Sequence, residues 1–220
     1  MARNKHFLQL AFNYSFYDFV QLVGKIPTDP NIIIEAGTPL IKKEGISVVS
    51  KMRSYWGGQI VADLKIVDGA KAEVIAAKLA GADVITALGT SSPETLKIFI
   101  DTCQQNSVKS AIDMIHVSNP LRSLWKANVT PDIVYIHRGR DEENSFGKVI
   151  QYKGIAKIRG KWPIVVGAAG GIDQKEMRSA LFNGADIVVV NVVSSDDPWI
   201  GIRDDQDFGQ NLANFLKSIT

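Results

Sequence analysis

Only one cysteine, Cys103, stands in the 220 residues. A lone thiol excludes an internal disulfide framework and any multi-cysteine metal cluster, and it suits a reducing, cytoplasmic setting. Long apolar runs are missing too. No stretch approaches the ~20 residues of a membrane-spanning helix. The opening Met1-Ala-Arg-Asn-Lys-His6 leads into a strand-like run rather than a secretory signal. Neither charge sign dominates: 25 Lys and Arg against 23 Asp and Glu leave a formal charge of +2, scattered along the chain. Nucleic-acid binding needs a clustered basic face, which the sequence lacks. Linkers and low-complexity stretches are also absent, so a single domain is expected over residues 1–220.

What the chain does have is alternation. Short apolar runs rich in Val and Ile, near 7–13, 31–37, 59–66, 84–89, 110–115, 132–138, 163–169 and 186–193, read as buried parallel strands. Helical spacing fills the gaps. Ala72, Ile75, Ala76 and Leu79 fall at i, i+3, i+4 and i+7, as do Leu96, Phe99, Ile100 and Cys103; Phe208, Leu212, Phe215 and Leu216 make a last apolar face. Gly81 and Gly184 mark helix ends, Ser92-Pro93 and Asn119-Pro120 mark starts, and Asp173 with Glu176 fits a capping-box variant. One internal echo, Ala80-Gly-Ala-Asp83 and Asn183-Gly-Ala-Asp186, suggests a repeated unit. Eight β/α units without a leftover domain predict an α/β fold, a closed (β/α)8 TIM barrel. The runner-up, a doubly wound open sheet, is expected to carry a Gly-rich turn after its first strand, and Asn13-Tyr14-Ser15-Phe16 has no glycine.

Several of these strands break their apolar pattern with charge. Strand side chains alternate faces, so Val61, Asp63 and Lys65 share one face and Ala62, Leu64 and Ile66 the other. The apolar set belongs under helices, which turns Asp63 and Lys65 toward the barrel axis. Glu35, Asp113, His137, Arg140 and Asn13 end other strands at the same mouth, and Asp68 lies just beyond the third strand. Barrel active sites sit at that end. The turn Gly170-Gly171, just before the helix capped by Asp173, offers backbone N–H groups to an anion. Cys103 is expected in the core, His6 in solvent, and Trp125, Trp162 and Trp199 at loops or an interface; His116, three residues after Asp113, lies at the mouth.

The motif Asp63-Leu-Lys65-Ile-Val-Asp68 resembles that of the orotidine 5′-monophosphate decarboxylase suprafamily. The resemblance runs through Glu35-Ala-Gly-Thr38-Pro-Leu-Ile-Lys-Lys-Glu-Gly45, Ala62 to Gly69, Ala80 to Gly89, His137-Arg-Gly-Arg-Asp141 and Gly170-Gly171. Within the suprafamily it is nearest to the 3-hexulose-6-phosphate synthase and 3-keto-L-gulonate-6-phosphate decarboxylase families. The resemblance implies a phosphorylated sugar substrate and a homodimer in which Asp68 reaches into the partner's site. It implies Mg²⁺ held by Glu35 and Asp63, a 1,2-enediolate intermediate, catalytic roles for Lys65, Asp68, Asp113, His137 and Arg140, and substrate contacts from Asn13, Thr38, Gly170, Gly171 and Asn191.

Asp113 and Ala169 resemble the synthase, which joins formaldehyde to D-ribulose 5-phosphate; Arg140 resembles the decarboxylase. The synthase reading is the expectation, with the decarboxylase as its alternative. Two departures motivate a third reading, a repurposed or non-catalytic sugar-phosphate-binding barrel. Asn13 stands where the relatives have Asp, and Asn191-Val192-Val193-Ser194 stands where they have a Gly pair or Gly-Arg. Ser194 and Ser195 are the candidates to replace that half of the phosphate grip.

Overall fold

The computed structural model describes residues 6–143 and 149–219; most of the opening hexapeptide read above lies outside them. Eight parallel strands close into a barrel: β1 (Phe7–Phe12), β2 (Ile32–Ala36), β3 (Gln59–Ile66), β4 (Val84–Leu88), β5 (Lys109–Asp113), β6 (Ile133–His137), β7 (Val165–Ala169) and β8 (Ile187–Val193). Each pairs with its neighbour in sequence, and β8 pairs with β1 from Phe7↔Ile187 to Phe12↔Val192. The closed barrel is therefore observed and the open sheet is not. A ninth, two-residue strand, β9 (Ile202–Arg203), extends β8 outward.

Helices cover the outside: α1 (Phe16–Val23), α2 (Thr38–Glu44), α3 (Ser47–Arg53), α4 (Ala70–Leu79), α5 (Pro93–Gln105), α6 (Pro120–Ala127), α7 (Lys153–Arg159), α8 (Gln174–Phe182) and α9 (Phe208–Ile219). Two apolar layers result. The outer one lies between strands and helices and holds Phe19, Phe99, Phe208 and Cys103. The inner one fills the barrel with Ala11, Ile33, Val61, Val84, Ala111, Ile133 and Ile187 among others. Ala62 and Ile66 fall in the outer layer and Val61 in the inner one, as the alternation in β3 requires. Among the described residues no helix is long and apolar enough to cross a membrane.

Local chemistry accounts for the helix ends. Ser92 accepts from the Thr95 N–H, Asn119 from the Arg122 N–H and Asp173 from the Glu176 N–H, each satisfying a donor that the first helical turn leaves open. The capping box at Asp173 is half made: the Glu176 carboxylate instead accepts from the Tyr152 hydroxyl at 2.5 Å. One expected face is wrong. Ala72, Ile75, Ala76 and Leu79 point to solvent, and Ala70, Val74 and Ala77 face the core. Both stripes of this Ala-rich helix are apolar, so periodicity alone had no basis for choosing. Gly69 at φ 63 starts α4 three residues after β3, and the short link sets the helix's rotation.

The sequence echo is a repeated structural device. Gly81 (φ 95) and Gly184 (φ 90) end α4 and α8 in the left-handed conformation that glycine adopts without a Cβ penalty. The aspartate two residues later then ties the bottom of one strand to its neighbour. Asp83 accepts from the Ile60 N–H at 2.8 Å and pairs with Arg53, which also donates to the Gly81 carbonyl. Asp186 accepts from the Val166 N–H at 2.9 Å and pairs with Arg159, which donates to the Gly184 carbonyl. Asp186→Ala is expected to lower unfolding stability by about 1.5–3 kcal/mol, the range for a hydrogen bond to a charged group. Urea denaturation checks this, with an unchanged midpoint as the contrary result.

Candidate active site

Because alternate residues of every strand point inward, polar residues at the upper strand ends converge. They line a cavity of about 280 Å³ above the apolar inner layer. Glu35, Asp63, Lys65, Asp113, His137 and Arg140 all face it, as do Asn13, Thr38, Gly170 and Asn191. Asp68 does not: it is exposed in the loop after β3. Gly171 lies just outside the lining, packed against the Arg138 and Glu143 side chains.

A bulge in β3 builds the centre. The β3–β4 register slips between Ala62 and Ile66, and Lys65 adopts φ 49. A lysine in the left-handed region costs on the order of 1 kcal/mol or more, and such bulges re-aim side chains near active sites. Here the bulge lets the Lys65 N–H donate to the Thr86 hydroxyl at 2.9 Å, while that hydroxyl donates to Asp63 Oδ1 at 2.7 Å. The Lys65 ammonium pairs with Asp63 and, at 3.2 Å, with Asp113. Thr38 donates to Asp63 Oδ2 at 2.8 Å. Burial disfavours charge on all three groups, but the attraction between Asp63 and Lys65 prevails for that pair, and for Asp113 the neighbouring His137, with Lys65 after it, prevails. The Asp63 and Asp113 carboxyls are held below the ordinary carboxylate range, and Lys65 is held above the ordinary amine range. Lys65 is thus a fixed cation rather than a proton acceptor.

His137 Nδ1 lies 3.0 and 2.8 Å from the two oxygens of Asp113. An ionised carboxylate only accepts, so Nδ1 carries a proton, and in the neutral ring Nε2 is the nitrogen that can accept one. Glu35 behaves differently. Burial and the Asp63 charge beside it push its carboxyl up to about 7, with Lys65 and Gln9 opposing. Gln9 Nε2 donates to Glu35 Oε2 at 2.5 Å, and the Tyr135 hydroxyl donates to Gln9 Oε1 at 2.7 Å.

The rim is closed by the segment after β8. Arg140 lies with its guanidinium 5.5 Å from the centre of the Trp199 ring, and the Tyr14 hydroxyl donates to Asp197. Arg203 donates to the Ser194 and Asp197 carbonyls. Asn13 Nδ2 donates to Asn191 Oδ1 at 3.1 Å, so the two departures from the expected pattern form a neutral amide pair. Ser194 and Ser195 lie outside the cavity lining. Gly170 and Gly171, at φ 102 and 59, make the tight turn before α8, and Arg138 donates to both their carbonyls. His116 is exposed at φ 57 and outside the cavity.

Sequence reasoning missed Gln9, Thr86 and Tyr135. All three obey the same period-two rule as Asp63, and a polar residue at an inward position of an apolar strand was the available signal.

Two carboxyl groups on neighbouring strands open into one cavity, and burial and Asp63 disfavour the charged form of Glu35. An oxygen-seeking cation fits that donor set. Among the described residues no three His, Cys, Asp or Glu side chains gather into a closed metal cage. Mg²⁺ suits the open arrangement, since it commonly takes one or two carboxylates and keeps sites for water and substrate.

The family described as orotidine 5′-phosphate decarboxylase / HUMPS matches residues 6–198. Among curated proteins, the "Bifunctional enzyme Fae/Hps" of Methanothrix thermoacetophila is 36% identical over 186 residues, covering 84% of this chain and 47% of that protein. The chain therefore spans about half the length of the curated relatives it matches. A solved 3-hexulose-6-phosphate synthase superposes with a TM-score of 0.82 at 24% identity, covering 97% of this chain and 99% of the other. A solved KGPDC from Streptococcus mutans superposes with a TM-score of 0.76 at 17% identity, covering 97% of each.

The raised Glu35 carboxyl makes stability depend on pH. This carboxyl binds protons more tightly folded than unfolded, rising from 4.5 to about 7. Its favourable contribution is therefore complete at low pH and is lost as pH rises across that window. Glu35→Gln cannot ionise. In chelator-treated protein it should melt above the wild type at pH 8, with the gap closing toward pH 5; calorimetry showing the same gap at both values contradicts this.

Proposed function

The chain belongs to the orotidine 5′-phosphate decarboxylase / HUMPS family, and on that premise we propose that it is a Mg²⁺-dependent aldol lyase of the 3-hexulose-6-phosphate synthase kind. It would join formaldehyde to D-ribulose 5-phosphate, or run the cleavage backwards. The observation that carries this reading is the convergence of Glu35, Asp63, Lys65, Asp113, His137 and Arg140 on one cavity. The relatives called Fae/Hps support it.

In this reading Glu35 and Asp63 hold the metal, which when bound supplies a hard Lewis acid for the negative oxygen that develops beside the reacting carbon. Lys65 adds a preorganised positive charge, already oriented by Asp63 and Asp113. His137 Nε2 accepts the proton leaving C1 of the sugar phosphate, with Asp113 fixing the tautomer and steadying the imidazolium. The carbon so activated forms a bond to the formaldehyde carbon, and the formaldehyde oxygen takes up a proton. The Gly170-Gly171 turn takes the phosphate, and Thr38, Asn13 and Asn191 meet the sugar hydroxyls. A homodimer completes each site through Asp68, whose exposed position outside its own cavity suits a group offered to a partner. A cytoplasmic setting accords with the single cysteine, which is buried.

The presence of Arg140 in the cavity favours a second reading, decarboxylation of a 3-keto-hexonate phosphate through the same intermediate. The test is incubation with D-ribulose 5-phosphate, formaldehyde and Mg²⁺, with a chelated control, and mass detection of the hexulose phosphate. Product that disappears with chelator is expected, and Glu35→Gln should reduce turnover by at least about 100-fold, the scale of a lost electrostatic contact to the transition state. Arg140→Val should spare the aldol reaction and abolish any decarboxylase activity. No product from folded protein would favour a repurposed barrel that binds sugar phosphate without turning it over.

A further inference from the structure

Below the charged mouth, inside the barrel, a hydrogen-bonded line runs from Tyr135 on β6 through Gln9 on β1 to Glu35 on β2. Gln9 is buried at 1% exposure and Tyr135 at 4%, so both polar groups depend wholly on these bonds. Apolar side chains fill the rest of this layer.

The direction of the line follows from chemistry. In the ionised form that would bind a cation, Glu35 only accepts, so Gln9 must turn its NH₂ toward it. That leaves the Gln9 carbonyl facing Tyr135, whose hydroxyl is a donor. Flipping the amide would set its oxygen against the carboxylate and leave the phenol hydrogen without an acceptor. The barrel also makes room for the ring. Gly167 sits opposite Tyr135 in the β6–β7 pair, and a Cβ there would lie 2.6 Å from Tyr135 Cε1. No side chain fits at 167 while the ring holds its place.

We infer that Gln9 and Tyr135 are positioning residues for the metal site: they tie one Glu35 oxygen down into the barrel and leave the other for the cation, so that Glu35 binds it through a single oxygen. This rests on the metal reading above. Outer partners of this kind orient ligands, and their loss typically costs about 10–100-fold in metal affinity.

The test is Mn²⁺ binding to the full-length protein, with free Mn²⁺ measured by electron paramagnetic resonance, for wild type, Glu35→Gln, Gln9→Leu and Tyr135→Phe. Gln9→Leu is close in volume and should weaken Mn²⁺ about 10–100-fold. Tyr135→Phe keeps the ring, removes only the hydroxyl, and should weaken it by a smaller factor in the same direction. If aldol turnover is present, excess metal should restore it in both variants, which a merely misfolded protein would not allow. Wild-type binding that Glu35→Gln abolishes, but that both Gln9→Leu and Tyr135→Phe leave unchanged, overturns the positioning role and keeps the metal site. Wild-type protein that binds no Mn²⁺, or binds it equally well as Glu35→Gln, overturns the metal reading and this inference with it.

Discussion

Everything at the mouth of this barrel depends on one partly buried cation. Lys65 is held between Asp63 and Asp113, with Glu35 adding to the negative field around it. Two unit charges 4 Å apart attract by about 4 kcal/mol at an effective dielectric constant of 20. Withdrawing each ion from water costs several kcal/mol. The terms are of similar size, so the cluster is a poor device for stability, and the left-handed backbone at Lys65 adds a further cost. Apolar side chains would fill the same space more cheaply. What the arrangement does provide is a fixed positive charge, beside ionised carboxylates, at the floor of an open cavity.

The remaining groups arrange themselves around that charge. Asp113 is shared: one carboxylate meets both Lys65 and His137, so the orientation of the imidazole and the position of the ammonium are linked. Thr38 and Thr86 satisfy Asp63. Glu35, which accepts from Gln9, is the member whose carboxyl is pushed up, by burial and by the Asp63 charge, and it is the carboxylate a cation would most relieve. The Asn13–Asn191 pair keeps the opposite wall neutral, so it adds no further anion to a site already rich in carboxylates.

The barrel was legible from the sequence because parallel strands buried on both faces leave continuous Val- and Ile-rich runs, and all eight runs became strands. Glycines 81 and 184 and the caps at Ser92, Asn119 and Asp173 were legible because their geometry is local. The charged mouth was legible because a charge in an apolar strand has few structural uses. The face of α4 was not, since Ala-rich stripes look alike and rotation is set by the link to β3. The bulge at Lys65 was hidden as well: it comes from pairing to Thr86 across strands, which no local pattern records. Gln9 and Tyr135 went unnoticed because a single polar residue in an apolar run draws attention only when its partners, far away in sequence, are known. Asn191 to Val193 continue β8 as strand, as the apolar run over 186–193 predicts.

In the proposed function this cavity removes a proton from the carbon next to the carbonyl of a pentulose phosphate before any second substrate is needed. Proton nuclear magnetic resonance of D-ribulose 5-phosphate in D₂O, with protein and Mg²⁺ but without formaldehyde, observes that step alone. The signal of one C1 hydrogen is expected to disappear as deuterium enters, and more slowly when His137→Asn replaces the imidazole. Both C1 hydrogen signals persisting unchanged in the presence of folded, Mg²⁺-supplied protein would contradict it.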